Sequence, residues 1–375
     1  MKKILRLSIL SAVLVLLAGC AGGGRAVSDE VHHVPVDEYN LAPGPQDPVA
    51  TVEYLVLEQP EGQLLAGTDK VSVEDGRIYV GDYRSQKVFV YSEEGKLLGV
   101  LARNGRGPGE YIRMASFSVA DGVLYVLDEF ESRILAYDAG TLAHLRTLQP
   151  PVQVRDFSAL RDGGFLLAWA PMEGTHVADP AKRHRVFVTD ADLRIREGWF
   201  PYAEDEADAL SFRQYLTEAG ESLVYGSYRE DGYCLFSRAD GHPEGQVAFD
   251  LAKPVPAAER GSIQAVMEHK YNHMMAVPFL CGDYVSMTLV TGENGIPCLY
   301  DRTQDRLMDM SRASAKSSLV GIVGCTADSF VGTLYHKSNY INLTNNGFSR
   351  ADPETEAAIL ADAPFLVFYR LNVRD

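Results

Sequence analysis

Two stretches near the start of the chain are versions of each other. Ile78-Tyr-Val-Gly-Asp82 matches Leu124-Tyr-Val-Leu-Asp128, and Lys87-Val-Phe-Val-Tyr91 matches Arg133-Ile-Leu-Ala-Tyr137. The aligned tyrosines, Tyr79 and Tyr125, stand 46 positions apart. A unit of roughly 40–50 residues made of short alternating strands is the size of one blade of a β-propeller. This repeat constrains the fold more than any other feature, because a lone blade cannot bury both of its faces.

The turn signals recur at matching places. Between the first and second strands (a and b) of successive units stand Glu74-Asp-Gly76, Ala120-Asp-Gly122, Arg161-Asp-Gly-Gly164, Ala219-Gly-Glu221, Cys281-Gly-Asp283 and Ala327-Asp-Ser329. Between the third and fourth (c and d) stand Glu93-Glu-Gly95, Asp138-Ala-Gly140, Thr189-Asp-Ala-Asp192, Arg238-Ala-Asp-Gly241 and Asp301-Arg-Thr-Gln-Asp305. Asp-Gly and similar pairs enter the positive-φ conformations of tight turns at least cost. The count gives five complete units and a sixth without its outer strand, built from Leu319–Gly324, Phe330–Tyr335 and Phe365–Tyr369. Thr51–Leu57 alternates with period two and is left over at the start. Pairing it with the last unit would close the ring and remove an exposed sheet edge. The expected fold is therefore all-β: a six-bladed β-propeller closed by an N-terminal strand on the C-terminal blade, with short helical insertions on one face. An open β-sandwich or two smaller β domains is the competing reading.

The chain opens on a leader. Met1-Lys-Lys-Ile-Leu-Arg6 is basic, Leu7–Leu17 is apolar but short for a bilayer span, and Leu17-Ala-Gly-Cys20 follows. The last four residues resemble a bacterial lipobox, which implies cleavage before Cys20 and acylation of its thiol; a plain secretory peptide or a single-span anchor is the alternative. The expected organisation is a leader at 1–19, a lipidated tether at 20–48, and the propeller at 49–375. Several acyl chains on one cysteine suffice for stable anchoring, so the body need not touch the bilayer.

Asn104-Gly-Arg-Gly-Pro-Gly-Glu-Tyr111, followed by Asp121-Gly, Leu124–Asp128 and Arg133-Ile, resembles an NHL-type repeat junction. With the lipobox and the closing Ala363–Leu371, the chain resembles the six-bladed propeller lipoproteins of Bacteroidota, often described as TolB-like. The resemblance covers residues 49–375. It implies a lipid-anchored place in the cell envelope, at the outer membrane, and no agreed activity.

Composition narrows the partners. The 375-residue chain is 46% hydrophobic and carries a formal charge of −16. Loss of Lys2, Lys3 and Arg6 with the leader takes this to −19. Such a charge opposes nonspecific nucleic-acid binding and leaves an envelope protein, peptide or glycan as the expected partner. Cys234, Cys281, Cys298 and Cys325 show no CxxC and no metal spacing, and buried free thiols are preferred to disulfides.

In a propeller, a–b and c–d hairpins emerge on one face, and b–c and d–a connections on the other. All the short turns fall on the first. The long segments 171–183, 201–210, 252–272 and 336–363 fall on the second. Elaborating one face of a rigid scaffold is how such folds usually carry binding. Two insertions read as helical: 257–275, with Ile263, Val266, Met267, Tyr271 and Met274 on one side, and 353–361, with Asp352 as N-cap. They are expected to be lids over the channel mouth, with packing on the outer wall as the alternative.

Candidate binding residues on this face are Asp82, Tyr83, Arg84, Arg103, Arg106, Glu110, Arg113, Asp128, Glu129, Trp169, Tyr202, Tyr228, Arg229, Tyr271 and His336. The arginines suit carboxylate or sulfate groups or, equally, pair with Glu110, Glu129 and Asp231; the aromatic rings can stack on sugars or peptide side chains or serve as core and rim packing. Asp82 and Asp128 recur at the ends of b strands and read first as ties for their own b–c turns. Glu110 and Arg113 are expected to pair. His269 and His273 stand four apart but lack a third metal ligand, and Gly105, Gly107 and Gly109 lack the Lys-Ser/Thr of a phosphate loop. No catalytic residue, metal or cofactor is assigned.

The favoured function is a non-catalytic, membrane-anchored binding or scaffold module. The alternative is a propeller enzyme of the lactonase, lyase or glycan-cleaving kind, whose site at the channel mouth would need acidic ligands on the inner strands. The inner strands read as 70–73, 115–119, 152–157, 274–277 and 319–323, and offer little besides Asp156. A third reading is a structural envelope component packed permanently on another subunit.

Overall fold

The structure is a computed structural model that describes residues 31–36, 49–312, 319–334 and 336–371. Leader residues 1–19 and Cys20 lie outside them. Two strands come first, β1 (Val31–Val36) and β2 (Val49–Val56). Blade one follows as β3 (Lys70–Glu74), β4 (Arg77–Asp82), β5 (Lys87–Ser92) and β6 (Leu97–Leu101). Blade two is β7 (Met114–Ala120), β8 (Val123–Asp128), β9 (Arg133–Asp138) and β10 (His144–Leu148). Blade three is β11 (Asp156–Ala159), β12 (Phe165–Ala168), β13 (His184–Thr189) and β14 (Ile195–Pro201). Blade four is β15 (Leu216–Ala219), β16 (Ser222–Tyr225), β17 (Gly232–Ser237) and β18 (Pro243–Leu251).

Helix α1 (Ile263–His269) and the two-residue β19 (His273–Met274) lead into blade five. That blade is β20 (Phe279–Cys281), β21 (Tyr284–Thr291), β22 (Asn294–Asp301) and β23 (Arg306–Asp309). Blade six is β24 (Ile322–Cys325), β25 (Ser329–Thr333) and β26 (Phe365–Leu371), with α2 (Lys337–Asn345) and α3 (Pro353–Leu360) inserted before its third strand. Each blade is an antiparallel sheet, and the six inner strands touch in the cyclic order β3, β7, β11, β15, β20, β24 and back to β3. The expected six-bladed propeller is what forms.

Its core lies between the blades. Successive side chains on a strand point to opposite faces, so each strand serves two neighbours. Tyr79 packs toward Phe117 and Leu124 of blade two, while Ile78 and Val80 pack toward Val331 and Leu366 of blade six. Every pair of neighbouring blades shares one such cluster. Ring closure is tight: a Cβ on Gly324 would meet the Val71 carbonyl oxygen at 2.3 Å. β2 pairs antiparallel with β26, from Val49 opposite Leu371 to Val56 opposite Phe365, and supplies the outer strand of blade six. The a–b turns have the expected backbone, with φ of 50° and 70° at Asp75 and Gly76 and 49° and 72° at Asp121 and Gly122.

Several expectations need correction. Val31–Val36, inside the stretch read as tether, is a strand that pairs parallel with β18 as a fifth strand of blade four. The inner strand of blade five is Phe279–Cys281 rather than 274–277, because His273 and Met274 pair with the far end of β21 at Val290 and Leu289. The inner strand of blade three is Asp156–Ala159 rather than 152–157. The helix expected over 257–275 shrinks to a 3-10 turn at Ala257–Glu259 and the seven residues of α1, which Lys270 ends in a left-handed conformation at φ 53°. Of its apolar side Val266 is buried, while Ile263 and Met267 stay exposed.

All four long connections lie on the b–c and d–a face, the insertion face, and the other face carries only short hairpins. Helix α3 starts as expected, with the Asp352 carboxylate accepting the N–H groups of Glu354 and Thr355. Neither α2 nor α3 is a lid. Tyr340 of α2 packs on Tyr54 of the outer strand β2, ring centroids 5.5 Å apart, and α3 lies against the same strand. No helix among the described residues is long and apolar enough to cross a membrane.

Candidate functional site

Residues just before the inner strands ring the channel mouth on the insertion face. Asp69 precedes β3, Arg113 precedes β7 and Arg155 precedes β11. The d–a segment into blade four adds Ser211, Phe212 and Arg213. Together with Tyr83, Gln86, Met114, Ala115 and Glu129 these residues, apart from Asp69, line a cavity of about 440 Å³. Glu129 lies between two guanidinium groups, 2.9 Å from Arg113 Nη2 and in direct contact with Arg155. Arg213 reaches Asp69 across the mouth at 3.0 Å and lies over the Tyr83 ring at 4.9 Å. Asp69 also accepts the Tyr83 N–H. Three guanidinium groups are thus set against the Glu129 and Asp69 carboxylates, with the buried Asp156 carboxylate beside Tyr83.

Tyr83 is the floor of this cavity. It is 6% exposed, and its hydroxyl makes no hydrogen bond of ordinary geometry, with Ser116 and the Asp156 carboxylate its polar neighbours. Burial and the nearby Asp156 carboxylate hold the phenol protonated, well above its usual pKa. It is therefore a donor at any physiological pH. Asp156 itself is fully engaged: Oδ1 accepts from Ser116 Oγ and the Phe157 N–H, and Oδ2 from the N–H groups of Tyr215 and Leu216. A carboxylate so occupied joins blades two, three and four and has no lone pair directed at a substrate. Deeper in the channel Glu218 accepts from Ser72 at 2.6 Å and from Ser118 at 3.4 Å. Among the described residues no three His, Cys, Asp or Glu side chains gather to hold a metal.

The other named residues divide by position. Asp82 and Asp128 are fully buried. Asp82 accepts the N–H groups of Ala66 and Ser85; Asp128 accepts those of Ile112, Arg113 and Phe130 and pairs with Arg133. Each ties an incoming d–a crossover to its own b–c turn. Glu110 does not pair with Arg113. Its carboxylate takes the Gly107 N–H, and a Cβ on Gly105 would strike it at 2.0 Å, so the glycine-rich loop wraps a carboxylate of its own. Arg106 covers the Phe130 ring, while the exposed Arg84 and Arg103 make no side-chain ion pair among the described residues.

A second group sits between blades three and four. Arg185, 2% exposed, pairs with Glu206 and Asp208, and Arg229 pairs with the same two carboxylates. The Arg185 guanidinium lies over Tyr202, whose hydroxyl accepts from Trp169 Nε1. Tyr202 and Tyr228 are buried, and Trp169, also largely buried, lines a separate cavity of about 280 Å³ with Pro151, His176 and Lys182. Tyr271 is half-buried and donates to Glu259, which also holds His269; His273 points to the Tyr271 carbonyl instead. His336 lies apart, at a cavity between blades six and one.

Of the residues named from sequence, Tyr83, Arg113 and Glu129 thus come together at the mouth. Arg155, Arg213 and Gln86 were missed. Arg155 had a signal, since it repeats the position of Arg113 one residue before an inner strand. Arg213 had none, because its place depends on the path of an irregular loop.

Comparison with known proteins agrees with this architecture. A family model described as a 6-bladed beta-propeller matches residues 25–331. The chain belongs to this family. A crystal structure of a Bacteroides fragilis protein described as exported is similar at a TM-score of 0.71 and 15% identity, covering 92% of this chain and all of that one. A member of the DUF4221 family from Bacteroides vulgatus matches at a TM-score of 0.47 and 9% identity, covering 87% of this chain and 98% of that one. Nothing matches among curated proteins. At 15% identity the likeness to the Bacteroides fragilis structure speaks for the fold alone.

Proposed function

We propose that this six-bladed propeller is a lipid-anchored binding module of the cell envelope, at the outer membrane, which takes an anionic group of a peptide or glycan at its channel mouth without chemical turnover. The observation that carries the reading is the cavity that Arg113, Arg155 and Arg213 line together, with Arg213 laid over the Tyr83 ring. Guanidinium groups offer planar, paired donors that fit carboxylate and sulfate. Glu129 and Asp69 hold those guanidinium groups in place before a ligand arrives. The envelope address is supported by the leader that ends in Leu17-Ala-Gly-Cys20, by the NHL-type junction at residues 104–133, and by the similar Bacteroides fragilis protein described as exported.

The test is equilibrium binding of purified mature protein to oligogalacturonate, a sulfated glycan, a Glu-terminated peptide and neutral counterparts of each. At least one anionic probe should bind tenfold or more tightly than its neutral partner and weaken with salt. Charge-assisted hydrogen bonds are worth about 1.5–3 kcal/mol each, so Arg155→Gln with Arg213→Gln should cost that probe at least tenfold. Equal binding of charged and neutral probes, or indifference to both substitutions, would sink the reading.

A further inference from the structure

The cavity of about 280 Å³ that holds Trp169 lies beside the mouth. Its apolar walls come from three segments. The crossover into blade three brings Pro150, Pro151 and Val152, the insertion 171–183 brings Val177, and Trp169 stands just past β12. The two cavities are built on the same supports. The b–c turn of blade two gives Glu129 to the mouth and Ser132 to its neighbour, and the crossover gives Arg155 to the mouth and Gln153 to its neighbour. Two residues of chain span at most about 7 Å, so Gln153 and Arg155 set the cavities side by side. Both belong to the insertion face rather than to the plain face of short hairpins.

The Trp169 cavity is fixed before a ligand arrives. The indole Nε1 donates to the Tyr202 hydroxyl at 3.2 Å, which holds the ring. Lys182 Nζ donates to the Pro151 carbonyl at 3.1 Å and ties the insertion to the crossover. Arg183 Nε donates to the Val177 carbonyl at 2.8 Å, and the same guanidinium pairs with Glu204, which also meets His176 at 3.4 Å. Walls held in advance spare a ligand the cost of ordering them.

The chemistry of the walls selects the occupant. The indole, two prolines and two valines favour an apolar group. A sugar ring would bring several hydroxyl groups, and each one buried without a partner loses its bonds to water. Of the other side chains lining the cavity, Lys182 and His176 are already engaged. Ser132 and Gln153 make no side-chain hydrogen bond among the described residues, and two such groups do not satisfy a sugar. An aliphatic or aromatic side chain needs neither. No carboxylate lines the cavity, and its ionisable groups are the basic Lys182 and His176, in a chain of charge −16. An acidic ligand therefore meets no like charge on passing from the mouth into it.

We infer that the partner is an acidic peptide segment rather than a glycan. Its carboxylate docks at Arg113, Arg155 and Arg213, and an apolar side chain one to three residues away fills the Trp169 cavity. This rests on the anion-binding part of the proposed function and narrows its ligand.

The experiment titrates purified mature protein with capped, dye-labelled peptides that carry one Glu and one Phe separated by zero, one or two glycines, in both orders. Counterparts replace Phe by Gly or Glu by Gln, and oligogalacturonate is the sugar probe. Anisotropy gives the affinities. Trp169 and Trp199 are the two tryptophans of the chain, so Trp199→Phe leaves Trp169 as sole emitter and unlabelled peptides report on it. At least one peptide with Glu and Phe should bind tenfold or more tightly than its Gly counterpart and shift the Trp169 emission. Val177→Phe, which fills the cavity from a half-buried position, should abolish that advantage and leave the affinity of the Gly counterpart unchanged. Phe that adds nothing while Glu still matters, an advantage that survives Val177→Phe, or oligogalacturonate that produces the emission shift overturns the peptide assignment and leaves the anionic mouth standing. Indifference of every probe to charge overturns both.

Discussion

Glu74 and Arg238, 164 positions apart in sequence, form a buried ion pair of 2.8 Å at the plain-face end of the channel. Arg238 comes from the c–d turn of blade four and reaches inward far enough to donate also to the Val119 carbonyl on blade two. Arg161 adds a second cation to Glu74 and pairs with Glu221. This end of the channel is plugged by charges that satisfy one another, and the opposite end holds the cavity. Removing Arg238 leaves Glu74 with the more distant Arg161 alone and takes away the bond to the Val119 carbonyl, so Arg238→Met should destabilise the fold by about 1–3 kcal/mol. Adding Glu74→Gln should restore part of the loss. Urea unfolding of the two variants checks the pair, and a loss under 1 kcal/mol for Arg238→Met would mean that it is not a structural plug.

Asp128 and Arg84 share the insertion face and should respond differently to truncation. Asp128→Ala strands the N–H groups of Ile112, Arg113 and Phe130, for an expected cost of about 2–4 kcal/mol. Because Arg113 belongs to the mouth, the same variant should also weaken anionic probes. Arg84→Ala should stay within about 0.5 kcal/mol of the parent. Denaturation midpoints of the two variants are the measurement, and equal values would contradict the clamp assigned to Asp128.

Acid–base behaviour should show on the alkaline side. Burial pushes the Cys281 and Cys298 thiols up from an ordinary value of 9.0 to about 12. Burial also raises Cys234 and Cys325 well above that ordinary value. Folded thiols thus keep protons that the unfolded chain releases. Their contribution is complete below about pH 9 and falls as pH rises toward 12, by about 1.4 kcal/mol per thiol at pH 10. The urea midpoint should be flat from pH 7 to 8.5 and then drop. All four cysteines are free, and the three buried ones should resist alkylation at pH 8 until the chain unfolds. Fast modification of Cys298 in native protein would contradict its burial.

Truncations should separate the two N-terminal strands. Removal of residues 1–48 deletes β1 and its buried Val34 and Val36, at about 1.5–3 kcal/mol each, but leaves the ring closed. Removal through residue 57 also deletes β2 and leaves β26 as an open edge. The first truncation should be monomeric and less stable; the second should aggregate or fail to fold. Size exclusion and circular dichroism decide, and a well-folded second truncation would deny β2 its closing role.

Local chemistry made much of this architecture legible. Asp75-Gly76 and Asp121-Gly122 mark their turns because few other residue pairs accept positive φ twice. The alternation of Thr51–Leu57 showed a strand in need of a partner. Legibility ended where a position depends on a remote contact. Val31–Val36 has a strand's composition but resembles a tether until β18 is there to receive it. The pairing of Arg113 with Glu129 rather than Glu110 follows from a glycine loop that folds around Glu110 first. Nothing near Met274 says that the inner position of blade five goes to Phe279–Cys281.

What the amino-acid order determined alone is the repeat, its turns, the number of blades and the side on which long connections emerge, since each depends on backbone preferences within a few residues. Tertiary structure decided which charges meet. Asp69, Arg113, Arg155 and Arg213 come from four different crossovers and share one opening only when the ring closes, because a contact between distant segments leaves no mark in either segment by itself.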